Sequence, residues 1–343
     1  MKYIAPEKLH EFGKTLLMAY GTSEKNATII SDHLVENALI GLENQGAMRF
    51  YEYVNFMDKG TLDGGVKPEV SEKANGVLLV DGKGGIGVVA CEMAVEAMKE
   101  KLKEQPVVFA GIVNVGHTGR IGAYAQELAN DYCFGMVMGG GAFKQYSTVA
   151  PFGGKKGVIS TNPLAMAMPG KDGIPVCADF ATSATAGGFI RMAIRKGLTL
   201  PDGFLITEEG KPTNDPKKFK HGAYMLPAAG TKGYGLALII EMLCYAMLGE
   251  PLEFNWIMMA ARLDTLCPKE EYEVRAKEYL DYLNACPPLD GFKKVVYPGQ
   301  FEAENKKNCL ESGRGLGLNE NVIDSLIEMA KKKAVTLPKE FLT

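Results

Sequence analysis

The sequence is poor in the residues that build metal and disulfide sites. Its four histidines are His10, His33, His117 and His221, and none is paired at the spacing of metal ligands. Its seven cysteines are scattered, odd in number and never spaced as CxxC. We therefore expect neither a disulfide framework nor a bound metal, and we expect a reducing, cytoplasmic setting.

Strong net charge and long apolar runs are also missing. The 343 residues carry a formal net charge of -3, which supplies no field for holding a polyanion, so nucleic acid is not an expected partner. The opening residues, MKYIAPEKLHEF, have no apolar signal core. The longest apolar run, 235–249, contains Glu241 and is too short to span a bilayer. We expect no membrane partner and a globular chain long enough for two domains.

The most informative stretch is 106–126, which reads PVVFAGIVNVGHTGRIGAYAQ. Its apolar first half predicts a strand buried on both faces, and a helical pattern follows, with Thr118 as the expected N-cap. His117 therefore lies where a buried strand is followed by a helix, and side chains there tend to point into a cleft. The helix N-terminus disfavours the imidazolium form, so a neutral His117 would be ready to accept a proton. A loop histidine held by hydrogen bonds is the alternative.

The first part of the chain, 6–60, has a helical pattern throughout, and a capped helix is predicted at 319–333. We expect the C-terminal helix to pack on the N-terminal helices. The polar turn 41–49 ends in Arg49, whose rigid guanidinium suits a carboxylate. A solvated surface arginine is the competing interpretation.

The middle of the chain is rich in strands and glycines. The turn 81–87, DGKGGIG, follows a strand and precedes a helix as in a Rossmann fold, but no acidic residue ends the second strand, so we do not predict that fold. Strand candidates at 135–138, 157–160, 164–168 and 175–179 are separated by few residues. Parallel neighbours need a long crossover, so we predict a mixed, largely antiparallel sheet with a hairpin at 168–175.

Helices are expected at 185–196 and from about 231 to 248, with a surface excursion at 197–222 between them. Lys232 and the exposed amides at the start of the second helix could hold an anion, although a loop lysine is usually just solvated. The region 252–297 is predicted to contain two helical stretches, the second at 268–284.

Several short motifs occur in a fixed order along the chain. They are GLENQGAMR at 41–49, DGKGGIG at 81–87, GHTGRIG at 116–122, APFGG at 150–154, TNP at 161–163, DFATS at 179–183, KGYGL at 232–236 and PGQ at 298–300. Together they resemble the type-2 malate/L-lactate dehydrogenase family, the sulfolactate-dehydrogenase-like NAD(P)-dependent oxidoreductases.

The resemblance implies an α/β fold with a non-Rossmann mixed, largely antiparallel sheet and a helical domain built from both chain ends. We assign 1–75 with 301–343 to the helical domain and 76–300 to a nucleotide-binding mixed-sheet domain. The family works as a homodimer with the site near the subunit interface, so we expect a homodimer here. The implied cofactor is NAD or NADP, and the implied substrate is a small carboxylate.

The resemblance also implies roles for individual residues. His117 corresponds to the general acid/base and Arg49 to the group that holds the substrate carboxylate, while hydride passes between the nicotinamide and C2 of a small 2-hydroxy or 2-oxo acid. The implied substrate-binding residues are Asn44, Gln45, Arg49, Thr161 and Asn162. The implied cofactor-binding residues are His117, Gly119, Arg120, Ile121, Thr161, Asp179, Phe180, Ala181, Lys232, Gly233, Gly299 and Gln300.

One departure from the family matters for function. Asn44 and Gln45 stand where the family usually carries Ser-His, and neither carries a proton near neutral pH. In the unusual segment 142–147, Lys144 or Tyr146 is expected either to compensate or to lie at the surface. The alternatives to a 2-hydroxyacid dehydrogenase are a cyclic imine carboxylate reductase of the same family, a nucleotide-binding homologue without catalysis, and a methyltransferase. The sequence leaves open the acid used, the direction of the reaction, and NAD against NADP.

Overall fold

The structure is a computed structural model and describes residues 1–342. Eleven α-helices are present in this part of the chain. They are α1 (Pro6–Ala19), α2 (Glu24–Leu39), α3 (Met48–Asp58), α4 (Gly87–Leu102), α5 (Ile121–Asn130), α6 (Gly187–Lys196), α7 (Thr231–Glu241), α8 (Lys269–Asn284), α9 (Gln300–Glu311), α10 (Glu320–Lys332) and α11 (Lys339–Leu342). A 3₁₀ turn, Glu43–Gln45, lies between α2 and α3, and a π-helical segment, Met242–Met247, continues α7.

Twelve strands accompany the helices in the same part of the chain. They are β1 (Lys2–Ile4), β2 (Glu69–Ala74), β3 (Val77–Gly85), β4 (Val107–Val115), β5 (Cys133–Gly140), β6 (Pro163–Lys171), β7 (Ile174–Ala181), β8 (Leu205–Thr207), β9 (Pro212–Thr213), β10 (Ala223–Met225), β11 (Asn255–Arg262) and β12 (Leu316–Leu318).

The main sheet has seven strands in the order β2-β3-β4-β11-β5-β6-β7. The β3–β4 pair is parallel, and the other pairs in this sheet are antiparallel. The fold is therefore mixed α/β with a mixed, mostly antiparallel sheet, as predicted. The expected hairpin is confirmed between β6 and β7, where Asp172 and Gly173 have φ angles of 55° and 74°. Two successive positive φ angles are typical of a type I′ turn.

Helices cover both faces of the sheet. Neighbouring residues of a strand point to opposite sides, so each strand contributes to a core on either face. On one face, Val137 of β5 belongs to the core formed with α4 and α5. On the other face, the adjacent Met138 packs with Ile240 of α7 and Cys244 of the π-helical segment. The strand β4 lies inside this sandwich, so its direction is fixed by packing on both sides, and His117 follows two residues after its carboxyl end.

The central strand β11 corrects the sequence analysis. The first helical stretch predicted within 252–297 is wrong, because Asn255–Arg262 pairs with both β4 and β5. Its apolar side chains are buried on both faces, as for Ile257 and Met258. A short apolar run fits a buried strand and a buried helix equally well by periodicity. The second predicted stretch is confirmed as α8.

Two local predictions also fail. The segment 157–160 is not a strand, since it contributes only the isolated bridge between Ile159 and Val149. Thr118 is not the N-cap of α5, because the helix begins at Ile121 and Arg120 occupies that position without a side-chain cap. The side chain of Thr118 is buried instead. The extra residues lengthen the connection that carries His117.

A second hydrophobic core joins helices from the two ends of the chain. Leu9 of α1, Leu34 of α2 and Phe50 of α3 share it with Leu326 of α10 and Phe341 of α11. These side chains come from amphipathic helices, which bury their apolar faces only against other helices. The N-terminal and C-terminal helices therefore need each other to bury these faces. The exact division into 1–75 with 301–343 and 76–300 stays a prediction, and Thr343 lies outside the described residues.

Among residues 1–342, no helix combines the length and the apolar character needed to cross a membrane. The seven cysteine side chains are free thiols. Within the same residues, no three His, Cys, Asp or Glu side chains are grouped so that they could hold a metal ion.

Candidate functional site

The candidate site centres on His117, in the connection between the end of β4 and the start of α5. Its Nδ1 atom lies 2.9 Å from the Tyr53 hydroxyl and 3.1 Å from the backbone nitrogen of Gly119. The Gly119 N–H donates to Nδ1, so Nδ1 accepts and the neutral ring keeps its proton on Nε2. The Tyr53 hydroxyl then also donates to Nδ1. The ring is thereby fixed in one tautomer and one orientation.

The environment of His117 keeps the imidazole uncharged. Burial is the main cause that holds the pKa of His117 well below its usual range, and the positive charges of Arg49, His33 and Arg191 act in the same direction. The predicted neutral state thus has a different principal cause from the helix N-terminus. The sequence did not reveal the tautomer. In this tautomer the lone pair of the neutral ring, on Nδ1, faces Tyr53 and Gly119.

Arg49 reaches the same region from α3. Arg49 and Tyr53 are four residues apart, so they lie on one face of the helix. The Arg49 Nε donates to the backbone oxygen of Asn44 at 2.9 Å, and its guanidinium forms an ion pair with Glu52. The Arg49 side chain is only 14% exposed, so it is held in place rather than solvated. This placement argues against a surface arginine.

One face of α2 holds the residues that follow His117. The backbone N–H of Arg120 donates to Nε2 of the buried His33 at 3.0 Å. The Arg120 Nε donates to Oδ1 of Asn37 at 3.0 Å, and the Asn37 Nδ2 donates to the Gln45 carbonyl oxygen at 3.1 Å. Asn37 is fully buried and therefore links the turn that carries Asn44 and Gln45 to the start of α5.

A cavity of about 350 Å³ lies beside this connection. Its lining includes Leu42 from the turn, Arg120, Asp179 and Phe180 from β7, and Gly299, so it joins three separated motifs. The Asp179 Oδ2 accepts the N–H of Gly122 at 2.8 Å, where any side chain at Gly122 would collide with that carboxylate. The Asp179 and Phe180 side chains are exposed toward solvent.

Thr161 and Asn162 come immediately before β6 and lie close to the end of β7. The Thr161 carbonyl oxygen accepts both the N–H and the hydroxyl of Thr182 at 3.1 Å. Asn162 is fully buried with a φ of 40°, and neither Oδ1 nor Nδ2 has a hydrogen-bond partner among residues 1–342. An unsatisfied buried amide carries a free-energy cost, so it needs an explanation such as a ligand or water.

Four of the predicted cofactor residues, Arg120, Asp179, Phe180 and Gly299, line the 350 Å³ cavity, and the others, His117 included, lie outside it. Lys232 is exposed at the start of α7. Gly233 packs against the Thr182 and Ala228 carbonyl oxygens, with no space for a side chain. The Gln300 Oε1 accepts from the Asn284 side chain and from a backbone N–H, so its amide has a structural role at the start of α9.

Four residues near the site were not predicted from the sequence: Tyr53, Asn37, His33 and Arg191. For Tyr53 a signal existed, since it is one turn from Arg49 in a helix that was predicted. Asn37 and His33 are likewise one turn apart on α2, but polar residues within an apolar stripe do not show which neighbour they contact. Arg191 gave no signal, because it is one of several basic residues on α6.

The sequence model of the malate/L-lactate dehydrogenase family matches residues 4–327. The chain belongs to this family. The resemblance inferred from the ordered motifs is therefore confirmed.

The relatives of this chain include enzymes that are named for different activities. The chain is 28% identical to the L-sulfolactate dehydrogenase of Methanocaldococcus jannaschii over 97% of this chain and 98% of that protein. It is 30% identical to a Delta(1)-pyrroline-2-carboxylate/Delta(1)-piperideine-2-carboxylate reductase of Pseudomonas putida, over 73% of this chain and 72% of that protein.

Solved structures of the family superpose on the whole chain. The sulfolactate dehydrogenase of Methanocaldococcus jannaschii superposes with a TM-score of 0.85 at 28% identity, covering 98% of each chain. The malate dehydrogenase of Entamoeba histolytica superposes with a TM-score of 0.91 at 24% identity, covering 98% of this chain and 99% of that one, which is a likeness of fold.

The buried His33 predicts a specific pH dependence of stability. Burial, aided by the charge of Arg120, lowers the pKa of His33 from 6.5 to about 3. Below pH 6.5 the unfolded chain binds a proton that the folded chain does not, so stability is full above that pH and is lost as pH falls toward 3. Between pH 6.5 and about pH 5 this site should cost roughly 2 kcal/mol of unfolding free energy.

The measurement is urea unfolding of wild type and His33→Gln at about pH 7 and about pH 5. Glutamine keeps an acceptor for the Arg120 N–H but does not titrate, so the variant should lose less stability on acidification. If both proteins lose the same amount, His33 does not stay neutral in the folded state.

Proposed function

We propose that this protein is an NAD(P)-dependent oxidoreductase that transfers hydride between the nicotinamide and C2 of a small 2-hydroxy or 2-oxo carboxylic acid. The observation that carries the proposal is the pairing of His117 with Tyr53, because Arg49 lies on the same helix face as Tyr53. The contact between Tyr53 and His117 therefore brings the imidazole that would transfer the proton near the guanidinium that would bind the carboxylate. Membership of a dehydrogenase family supports this assignment.

Arg49 would hold the substrate carboxylate and so fix which face of C2 meets the cofactor. In reduction, His117 would give the proton on Nε2 to the oxygen at C2, while Nδ1 takes the proton of the Tyr53 hydroxyl. The ring is neutral before and after the step. After the product leaves, Nε2 would take a proton from solvent and Nδ1 would return its proton to Tyr53, whose hydroxyl is itself buried. Burial raises the pKa of Tyr53, and the positive charge of Arg49 opposes that rise, so Arg49 would stabilise the transient tyrosinate.

We propose that part of the dinucleotide occupies the 350 Å³ cavity beside Arg120 and Asp179. The Asp179 carboxylate is fixed against Gly122, and its second oxygen would accept from ribose hydroxyls, while the exposed Phe180 ring offers an apolar surface. Asn162 does not line this cavity, and its unpartnered amide would gain a partner from the bound substrate. When bound, the nicotinamide supplies or accepts the hydride. This placement uses the edge of a mostly antiparallel sheet, and we propose a non-Rossmann mode of binding.

We propose the remaining sequence assignments as follows. Asn44, Gln45 and Thr161 would contact the substrate, and Gly119, Ile121 and Ala181 the cofactor. Lys232 and Gly233 would reach the cofactor from the start of α7, and Gly299 from the cavity wall, whereas Gln300 would support the site through its contacts with α8. The cytoplasmic setting also remains a prediction.

In the segment 142–147, Lys144 and Tyr146 are both engaged with residues that follow α7, and we propose that neither replaces the Ser-His pair. The Lys144 Nζ donates to the Tyr245 hydroxyl at 2.8 Å and forms an ion pair with Glu250 at 2.7 Å. Tyr146 stacks on Phe254, with ring centroids 5.6 Å apart. The second candidate function is therefore reduction of a cyclic imine carboxylate, which is favoured by the likeness to the Pseudomonas putida reductase. A comparison of the rates of reduction of 2-oxo acids and of cyclic imine carboxylates distinguishes the two functions.

We propose a homodimer formed through α7 and the segment after it. This stretch is apolar on all sides, yet Leu236, Ile239, Met242 and Met247 are exposed, Ile239 by 60%. A helix that is apolar all round is normally buried, and a contiguous exposed apolar patch usually marks an interface. Lys232 lies in the first turn of the same helix, so the dimer contact would adjoin the site.

Removing the imidazole tests the chemistry. His117→Ala should lower kcat for 2-oxo acid reduction on the order of 10²–10⁴-fold, while NADH or NADPH still binds with its fluorescence change. Tyr53→Phe should lower kcat and make the remaining rate rise as pH falls, because only the imidazolium then supplies a proton. Tyr51→Phe, in the same helix, should change neither.

Retained turnover in His117→Ala would remove that residue from the mechanism. A pH profile of Tyr53→Phe identical to that of wild type would leave Tyr53 as a purely structural contact.

A charge on α7 tests the proposed dimer. Ile239→Asp should give a monomer by size-exclusion chromatography with light scattering, since a buried carboxylate in the interface is unpaired. Leu266→Asp changes a residue that is 95% exposed elsewhere and should leave the mass of a dimer unchanged. A wild-type monomer, or a dimer that survives Ile239→Asp, contradicts this interface.

A further inference from the structure

Arg191 is a charged group near the site that the mechanism above does not use. It lies in α6 (Gly187–Lys196) and is exposed. Its guanidinium makes neither a hydrogen bond nor an ion pair with a side chain in 1–342. A guanidinium has five donors, so Arg191 retains its full capacity to bind an acid group from solution.

The guanidinium lies next to the turn that carries the substrate-binding candidates. A Cβ atom at Gly188 would be 3.9 Å from Nη2 of Arg191 and 4.0 Å from Nδ2 of Asn44. The glycine therefore leaves open the space between these two side chains. The carbonyl oxygen of Asn44 accepts from Nε of Arg49 at 2.9 Å, so Arg49 is bonded to the turn that Arg191 faces across Gly188.

The local charges are unbalanced in favour of the cation. Arg49 and His117 both experience the charge of Arg191, and so does Glu52, the acid that acts on Arg191 most directly. Glu52 is already the ion-pair partner of Arg49. Glu253 also lies in the field of Arg49, but burial raises the pKa of its carboxyl group, so it is a weaker counter-ion than Glu52. The two guanidiniums repel each other, and a ligand with two acid groups would relieve that repulsion.

We infer that Arg191 binds the second acid group of a diacid substrate whose first carboxylate is held by Arg49. The inference rests on the proposed function, because it places the 2-oxo acid between His117 and Arg49. The second group is a carboxylate or a sulfonate, since both present planar or tripodal oxygens to a guanidinium. A 2-oxo monoacid would leave Arg191 unpaired, so Arg191 determines specificity and takes no part in proton transfer.

The test compares kcat/KM for pyruvate, oxaloacetate and 3-sulfopyruvate in wild type, Arg191→Gln and Arg195→Gln, with the preferred reduced cofactor. Arg195 is an exposed arginine one turn further along the same helix and serves as the matched control. Arg191→Gln should lower kcat/KM for the diacids by about 30-fold relative to pyruvate, as expected for a lost charged hydrogen bond. Arg195→Gln should leave that ratio unchanged. The better of the two diacids identifies the second group as carboxylate or sulfonate.

A binding measurement separates failure of this inference from failure of the proposed function. Calorimetry of malonate and acetate with the cofactor-loaded protein requires no turnover, and Arg191→Gln should weaken malonate alone. Absence of all 2-oxo acid turnover in wild type would contradict the proposed function, whereas unchanged malonate binding in Arg191→Gln would overturn the role of Arg191. Equal losses for pyruvate and the diacids would also overturn it, because they indicate a general disturbance of the site.

Discussion

The site depends on how two helices of the N-terminal layer hold the connection between β4 and α5. Tyr53 of α3 bonds to Nδ1 of His117, and His33 and Asn37 of α2 bond to the backbone and side chain of Arg120. The connection itself has no regular structure, so its geometry comes from these buried contacts. The core that joins both chain ends keeps α2 and α3 in place, and stability and function are therefore coupled.

Burial does more than hold these groups in position. Desolvation keeps His33 and His117 neutral, and the neutral His117 has a defined tautomer because a backbone N–H can only donate. Positive charge is carried instead by the largely buried Arg49 and the exposed Arg191. A neutral proton-transferring ring next to cationic acid-binding groups suits an anionic substrate whose reacting carbon gains or loses hydride.

The fold class and the ordered motifs could be predicted from the sequence, because glycine-rich turns, strand runs and helical stripes are local patterns. The identity of β11 could not, because its apolar run has no periodicity that separates strand from helix. The roles of Asn37, Tyr53 and Arg191 depend on contacts between elements distant in sequence, and no local pattern encodes those. Thr118 shows the same limit at the scale of one residue, since its side chain is buried beside Gly87 of α4 and does not cap α5.

The most direct test of this account is the protonation state of His117, followed by nitrogen-15 NMR of the histidine-labelled protein with His117→Gln for assignment. The account predicts a neutral ring protonated on Nε2 that does not titrate near the usual histidine pKa of 6.5. A ring protonated on Nδ1, or a titration at that ordinary value, would contradict it.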